Sequence, residues 1–563
     1  MKKYLFFVSL LFFGLSLTAQ LAPHKYLVKF TDKNNSPYTI SSDPSQYLSP
    51  KAITRRNKQS ISIKYNDLPV TPVYIDSVIN TGVTLLCRSK WFNSVTIYTV
   101  DSNALNTIKS FPFVLSVDSV TTVIPAEKKI NSLIADHAST ILNNPEVNNE
   151  KITTSYNYGY AANQITMIAG EYLHNLGFCG QGITIAIIDA GFSYVDTIPA
   201  FDSLWINSQI LGTKDFVDPG GNVFRQHWHG MEVLSTMGAN IPGQMIGTAP
   251  KANFWLLRSE DVNSENIIEE YNWASAAEFA DSAGADVINS SLGYTTFDGG
   301  LMNHTYADMN GRTCPASIAA VTAASKGMVL CISAGNDGSP GDLWHYIGTP
   351  ADADSILTVG AVDASGNYAD FSSTGPTYDR RIKPTVATQG DGTYVIWTTG
   401  SPVPGSGTSF SSPVLAGATA CLMQAFPNAS HMQIIEAIKE SASQYTHPDS
   451  LLGWGIPNFA AACALLTNIP VCAACNNSIN ILPNPFKNVI YIFFDSHCDM
   501  GAVNIDLYDL RGRKVYGETT GIQRSIGYNY ITVQNLNKLA NGMYFIKISS
   551  SNNVFTQKIM KEG

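Results

Sequence analysis

Five short runs of near-continuous apolar and β-branched residues, at 183–188, 253–257, 286–289, 328–332 and 356–359, constrain this chain more than any other feature in it. A strand that shows one face to water alternates apolar with polar side chains, so runs without that alternation must be covered on both faces. Helical stretches at 265–283 and 316–326 lie between them, the second closed by Gly327, a residue type that takes the left-handed geometry of a helix end without steric cost. Strand, helix and strand in repetition predict an α/β domain on a doubly wound parallel sheet over residues 161–465. Ligand sites in such sheets gather beyond the carboxyl ends of the strands, which makes the residues just after each run the first candidates for chemistry.

The remainder of the 563 residues divides around that domain. Lys2 and Lys3, the apolar run 4–17 and the small residues Thr18 and Ala19 read as an export signal over 1–19. The run falls short of the ~20 residues a membrane-spanning helix needs. Residues 20–125 alternate short strands (26–30, 94–100, 114–117) with helices (73–81, 103–110), as in a small α+β unit. Residues 126–160 are polar and Asn-rich without sustained periodicity, which suits an exposed linker. A second linker, 466–478, leads to 479–563, where alternating strands such as 504–508 and 544–548 predict a β-sandwich. Nine cysteines are too few for a disulfide framework. Cys472-Ala-Ala-Cys475 has redox or half-zinc-site spacing, but with no second pair it reads as a local disulfide or free thiols. Charged residues are 14% of the chain against ~25% in an average one, and the net charge is −9, so no basic field exists to hold nucleic acid.

Three segments carry candidate chemistry. Asp189 follows the first run and precedes Ala190-Gly191; alone, such an aspartate is ordinarily a turn or helix cap. His227-Trp-His229-Gly-Met-Glu-Val puts His229 at the head of a helix-like run. His-x-His also suits two metal ligands, yet no third ligand completes a pattern. Gly407-Thr-Ser409-Phe-Ser-Ser-Pro413 opens the helix-like run 414–423. Proline is tolerated in a first helical turn, which is expected to place Ser409 at the positive end of a helix dipole, where an oxyanion is stabilised. A hydroxyl becomes a competent nucleophile only beside a base whose tautomer a third group holds. An acid, a base and an alcohol, each at an element boundary of one sheet, supply those three parts.

Asp189-Ala-Gly, His229-Gly-Met-Glu-Val and Gly407-Thr-Ser-Phe-Ser-Ser-Pro resemble, in residues and in chain order, the three active-site motifs of the subtilisin-like serine peptidases. The stretch 285–293 looks like the family's strand beside the substrate pocket, with Ser291, Leu292 and Gly293 along the cleft. The stretch 329–336 looks like the strand that ends in the oxyanion-hole asparagine, here Asn336, and 381–387 and 453–457 resemble later landmarks. The resemblance runs from near Gly177 to near Leu465. It implies a secreted serine endopeptidase, made as a precursor, with Asp189, His229 and Ser409 as catalytic triad, an acyl-enzyme intermediate, protein or peptide substrates and no required cofactor. Relatives commonly hold structural calcium, for which this sequence offers no coordinating pattern; no metal ligand is assigned. Two departures stand out: Ala190 where the family usually has Ser or Thr, and Met231-Glu232 where it usually has Thr-His. Both change the surroundings of the reacting groups and remove none of them. His227 is a minor rival to His229 as base.

The α+β unit stands where subtilases carry a propeptide that assists folding and blocks the cleft until it is cut away. Segments 481–486, 503–515, 539–546 and 557–561 resemble the C-terminal sorting domain of type IX secretion cargo in Bacteroidetes-type bacteria. That resemblance implies the type IX machinery as partner and the cell surface or the medium as destination. Alternatives from other classes are a generic β-sandwich binding module for the tail and, for the whole, a catalytically silent peptidase-like adhesion protein. A monomer is expected. A dinucleotide-binding oxidoreductase is disfavoured because no strand is followed by Gly-x-Gly-x-x-Gly.

Overall fold

The computed structural model describes residues 24–121, 156–467, 479–482, 484–495, 503–520, 528–549 and 554–562. The export signal, most of the first linker, and most of the second linker, with Cys472 and Cys475, lie outside the described residues; Leu466 still belongs to the helix Phe459–Leu466.

The N-terminal unit comprises β1 (Lys25–Phe30), α1 (Pro50–Lys58), α2 (Pro72–Ile79), β2 (Thr84–Ser89), β3 (Ser94–Tyr98), α3 (Ser102–Ser110) and β4 (Val114–Ser119), with an antiparallel sheet in the order β2-β3-β1-β4. Helix α1 is not evident from apolar spacing, because it carries Lys51, Arg55, Arg56 and Lys58. It starts cleanly nonetheless: the Ser49 hydroxyl accepts the Ala52 N–H at 3.2 Å and Pro50 supplies a preset first turn.

The central body contains β5 (Thr184–Asp189), β6 (Ile210–Asp215), α4 (His229–Gly238), β7 (Asn253–Arg258), α5 (Ile268–Ala283), β8 (Val287–Ser290), α6 (Pro315–Ser325), β9 (Val329–Ser333), β10 (Leu357–Val362), β11 (Val386–Gln389) and α7 (Thr408–Ala425). Its seven strands lie in the order β11-β10-β9-β8-β5-β7-β6, every pair parallel. Alternate residues of β5 enter opposite layers, as the two-residue period of a strand dictates. Ile185 and Ile187 pack in the layer that contains α4 and α7, while Ala186 and Ile188 pack in the layer of α5 and α6. All six residues of β5 are buried, which is why its sequence lacks alternation. The strand order reverses at β5, and this switch point puts the ends of β5, β8 and β9 around one crevice.

Two boundaries differ from expectation. Helix α5 begins at Ile268, which leaves Glu265 in the loop before it. Helix α7 begins at Thr408, so Pro413 lies inside it and not in its first turn. A proline within a helix removes the N–H that would reach the carbonyl four residues back, here that of Ser409, and another donor meets that carbonyl (below).

The N-terminal unit docks on α5 through charge. Asp281, fully buried, is held by Arg55 at 2.6 Å, Arg56 at 2.7 Å and Lys90 at 3.3 Å. Lys326 pairs with Asp67 at 2.8 Å, and Glu278 accepts from the Ser89 hydroxyl and the backbone N–H groups of Lys90 and Trp91. Removing one partner from such a cluster would strand buried charge, so the contact discriminates against mismatched partners.

Toward the C-terminus, strands Ile479–Leu482, Ile490–Asp495 and Tyr528–Val533 form one antiparallel sheet. Val503–Tyr508, Lys514–Thr520, Gly542–Ser549 and Val554–Lys561 form a second. Ile492, Ile505 and Ile546 share the core between them, the expected sandwich. Tyr491 from this domain meets Tyr172 edge-on at 4.5 Å and accepts from Asn175 at 2.8 Å. The six described cysteines are buried free thiols. No helix among the described residues is long and apolar enough to cross a membrane.

Candidate active site

Asp189 is the last residue of β5 and is fully buried. Its Oδ1 accepts the Ala190 N–H at 2.7 Å and meets His229 Nδ1 at 2.7 Å, while its Oδ2 is buried without a hydrogen-bond partner. The chain can turn back sharply after it because residue 191 is glycine: at φ +154° a Cβ there would lie 2.4 Å from the His227 nitrogen. That close approach is fastened by Gly230 N–H to Gly191 O at 2.9 Å and Ser193 N–H to His227 O at 3.0 Å. The loop before α4 is thereby clamped onto the end of β5.

His229 is the first residue of α4 and is fully buried. Burial by itself disfavours the imidazolium, but the charge and hydrogen bond of Asp189, with smaller contributions from Glu232 and Glu260, hold its pKa above the ordinary histidine value. Its other ring nitrogen, Nε2, is buried and has no hydrogen-bond partner. His227 behaves differently. Burial, aided by His229, lowers it to about 4, and its Nδ1 accepts the His229 N–H at 3.2 Å. It braces the loop as a neutral acceptor.

Ser409 is the second residue of α7, where the helix dipole favours negative charge. The next residue, Phe410, stands with its ring 6.2 Å from the His229 ring, so α7 brings the serine to the histidine's side of the sheet. The Ser409 carbonyl accepts the Ser291 hydroxyl at 2.8 Å. Pro413 withholds the helical donor from that carbonyl, and the residue that follows β8 supplies another. Asn289, on β8 itself, accepts the Ser412 hydroxyl at 2.9 Å.

Asn336 follows β9 by three residues. Its Oδ1 accepts both the Thr408 N–H at 2.9 Å and the Thr408 hydroxyl at 2.8 Å, so the amide is locked to the residue beside Ser409 with its oxygen committed. Ser291 and Leu292 are buried at the end of β8, and Gly293 is half-buried beside the crevice. The fold thus gathers Asp189, His229, Ser409, Asn336 and 291–293 at one edge of the sheet. Thr408 and Asn289 are supporting residues that sequence reading passes over. Both lie inside recognisable motifs, but only contact reveals which neighbour each one holds.

Also at this edge, Glu260, Glu265 and Glu269 bring one carboxylate oxygen each within 4.8 Å of the others. Burial pushes Glu260 up to about 8 and lifts Glu265 and Glu269 well above the usual carboxylate range. Their oxygens are the one described group whose donor set suits a cation; in the sequence they look like ordinary acids near a helix start.

Comparison with known proteins agrees with the fold. Residues 180–455 match the Subtilase family, 25–133 match the Peptidase S8 propeptide domain of Bacteroidota, and 480–562 match the Secretion system C-terminal sorting domain. Subtilisin E of Bacillus subtilis (strain 168) is 30% identical over 304 residues, covering 53% of this chain and 70% of that protein. Subtilisin of Bacillus pumilus is 30% identical over 304 residues, covering 53% and 97%. Serine protease AprX of Bacillus subtilis (strain 168) is 27% identical over 311 residues, covering 50% and 65%. The fold and these relatives define the class, a serine-type peptidase acting on protein substrates. Within it, this chain belongs to the subtilase family, and it carries a Bacteroidota-type propeptide in front and a secretion sorting domain behind, which mark it for export to the cell surface or the medium.

Proposed function

We propose that the chain is a secreted endopeptidase in which Ser409 attacks the scissile carbonyl, His229 takes and returns the proton through Nε2, and Asp189 holds the ring. The observation that carries this reading is the buried 2.7 Å contact of His229 Nδ1 with Asp189, which fixes the proton on Nδ1 and leaves a lone pair on the unpartnered Nε2. As the Ser409 Oγ bonds to the carbonyl carbon, its proton passes to Nε2 and the carbonyl oxygen gains negative charge. The Asn336 amide nitrogen and the Ser409 N–H at the start of α7 are the donors for that oxygen. Collapse expels the amine, which leaves with the proton from His229, and water hydrolyses the acyl-enzyme by the same steps in reverse order. Residues 291–293, continuing from β8, give the substrate backbone an edge to lie along. The half-buried Gly293 leaves room for that approach.

The test is Ser409→Ala in the processed enzyme, with peptide hydrolysis and labelling by a fluorophosphonate as readouts. Loss of a subtilisin's nucleophile lowers kcat by ~10⁶, and a loss of that order is expected here, with the fold retained and labelling abolished. Undiminished hydrolysis by the variant would refute the assignment, and an unlabelled wild type would point to a silent scaffold.

A further inference from the structure

A cavity of about 730 Å³ opens between two segments that both hold the Ser409 turn. One wall, Ser333–Gly335, runs directly into Asn336; the other begins at Gly293, two residues after Ser291. Its width comes from small residues, among them Gly293, Ala334 and Gly335. Its charge is one-sided: Glu265, Asp298, Asp337 and Asp342 line it, and among the described residues no lysine, arginine or histidine does.

Behind Glu265 the imbalance deepens. Glu260 and Glu269 are almost wholly buried, and each commits Oε2 to a donor, Tyr294 hydroxyl at 3.2 Å and Asn266 N–H at 3.1 Å. The Oε1 of each is buried with no hydrogen-bond partner beyond the contact between the two carboxyl groups themselves, and the three carboxylates converge within 4.8 Å. A buried acceptor without a donor costs stability, and adjacent carboxylates cannot all ionise without a counter-charge. No described side chain lining the cavity supplies that counter-charge; a ligand entering it would.

We propose that this cavity receives the side chain of the substrate residue that donates the scissile carbonyl, and that it selects arginine or lysine there. The inference rests on Ser409 being the nucleophile, because that places the cavity mouth beside the reacting carbon. A long cationic side chain passes Trp344 and Phe297 on its aliphatic stem and sets its charge near Glu265, where low polarity strengthens the attraction. An acidic residue at the same position meets the carboxylates of Asp298, Asp337 and Asp342 and brings no cation to Glu265, so selection works by repulsion as well as attraction.

The test uses the processed enzyme on matched peptides that differ only at that residue, Arg, Lys, Leu or Glu, each assayed in EDTA and in excess calcium. Arg and Lys peptides are expected to exceed the Leu peptide in kcat/KM by about 10- to 100-fold, as for hydrogen bonds to charged groups, with Glu slowest. Glu265→Gln and Asp342→Asn should each lower the Arg-to-Leu ratio by about 3-fold or more, a ratio that does not depend on how much of the variant is folded. Indifference to charge, a preference for Leu, or an unchanged ratio in both variants overturns the proposal while fluorophosphonate labelling of Ser409 leaves the catalytic assignment standing. No cleavage of any peptide, with Ser409 unlabelled, overturns both. Calcium that stabilises the enzyme and erases the Arg preference assigns the pocket to a metal ion and likewise overturns it.

Discussion

Pro413 is a defect in a buried helix that the site exploits. It withholds one N–H from the Ser409 carbonyl, and the Ser291 hydroxyl ties that carbonyl to the end of β8 instead. On the proposed mechanism Ser291 is therefore a positioning residue for the nucleophile. Ser291→Ala should cost about 1 kcal/mol of stability, the worth of one hydrogen bond. It should lower kcat by about 10- to 100-fold with a smaller change in KM, since small misplacements are expensive; thermal melts beside steady-state kinetics check both. The proposed reacting residues are legible because nucleophilic chemistry restricts residue type so severely. Asp189, His229 and Ser409 sit at element boundaries in the sequence and at one sheet edge in the structure. The place of Pro413 is not legible, because proline is at home in a first turn and nothing local announces that the helix starts five residues earlier, at Thr408. The departure at 190 also has a visible result: with alanine there, no side-chain hydroxyl at that position serves Asp189, whose Oδ2 is left without a donor.

At the scale of elements, the contact between the propeptide and α5 mixes two kinds of carboxylate. Asp281, beset by burial but surrounded by Lys90, Arg55 and Arg56, is held below the usual range and stays ionised at and above neutral pH. Glu278 goes the other way. Burial pushes it up to about 7 despite Lys90 and the donors on Ser89, Trp91 and Lys90. Once the propeptide leaves, Glu278 returns toward ~4.3. The docked form then holds a proton that the free form has lost, so its contribution to docking is full below ~4.3 and fades as pH rises through about 7. Inhibition of the processed enzyme by its propeptide should therefore weaken between about pH 4 and 7, by up to tenfold per unit, and level off above that. Glu278→Gln should flatten that dependence, measured as the inhibition constant across the range. Three of the four strands of the N-terminal unit are readable from their β-rich runs, but β2 and α1 are not: the basic residues of α1 face a partner helix that only folding brings near.

For the whole molecule, the sandwich has a core of its own and meets the peptidase at Tyr491. Deleting residues 479–563 should leave hydrolysis in cell extracts intact and abolish appearance at the surface or in the medium, checked by fractionation with activity assays. A tail needed for catalysis would give inactive extracts instead. Residue order alone determined the layered architecture, because strand burial forbids alternation, and it pointed to Asp189, His229 and Ser409, because a hydroxyl nucleophile demands a base and an acid. The propeptide and the sorting tail were legible as resemblances of whole segments, and the family matches agree with them. Tertiary structure alone decided what the chain uses to hold those groups and what it admits to them. The Ser291 tether, the Thr408 grip on Asn336 and the acidic cavity join residues from separate strands and loops, and such proximity is a property of packing that no linear spacing encodes.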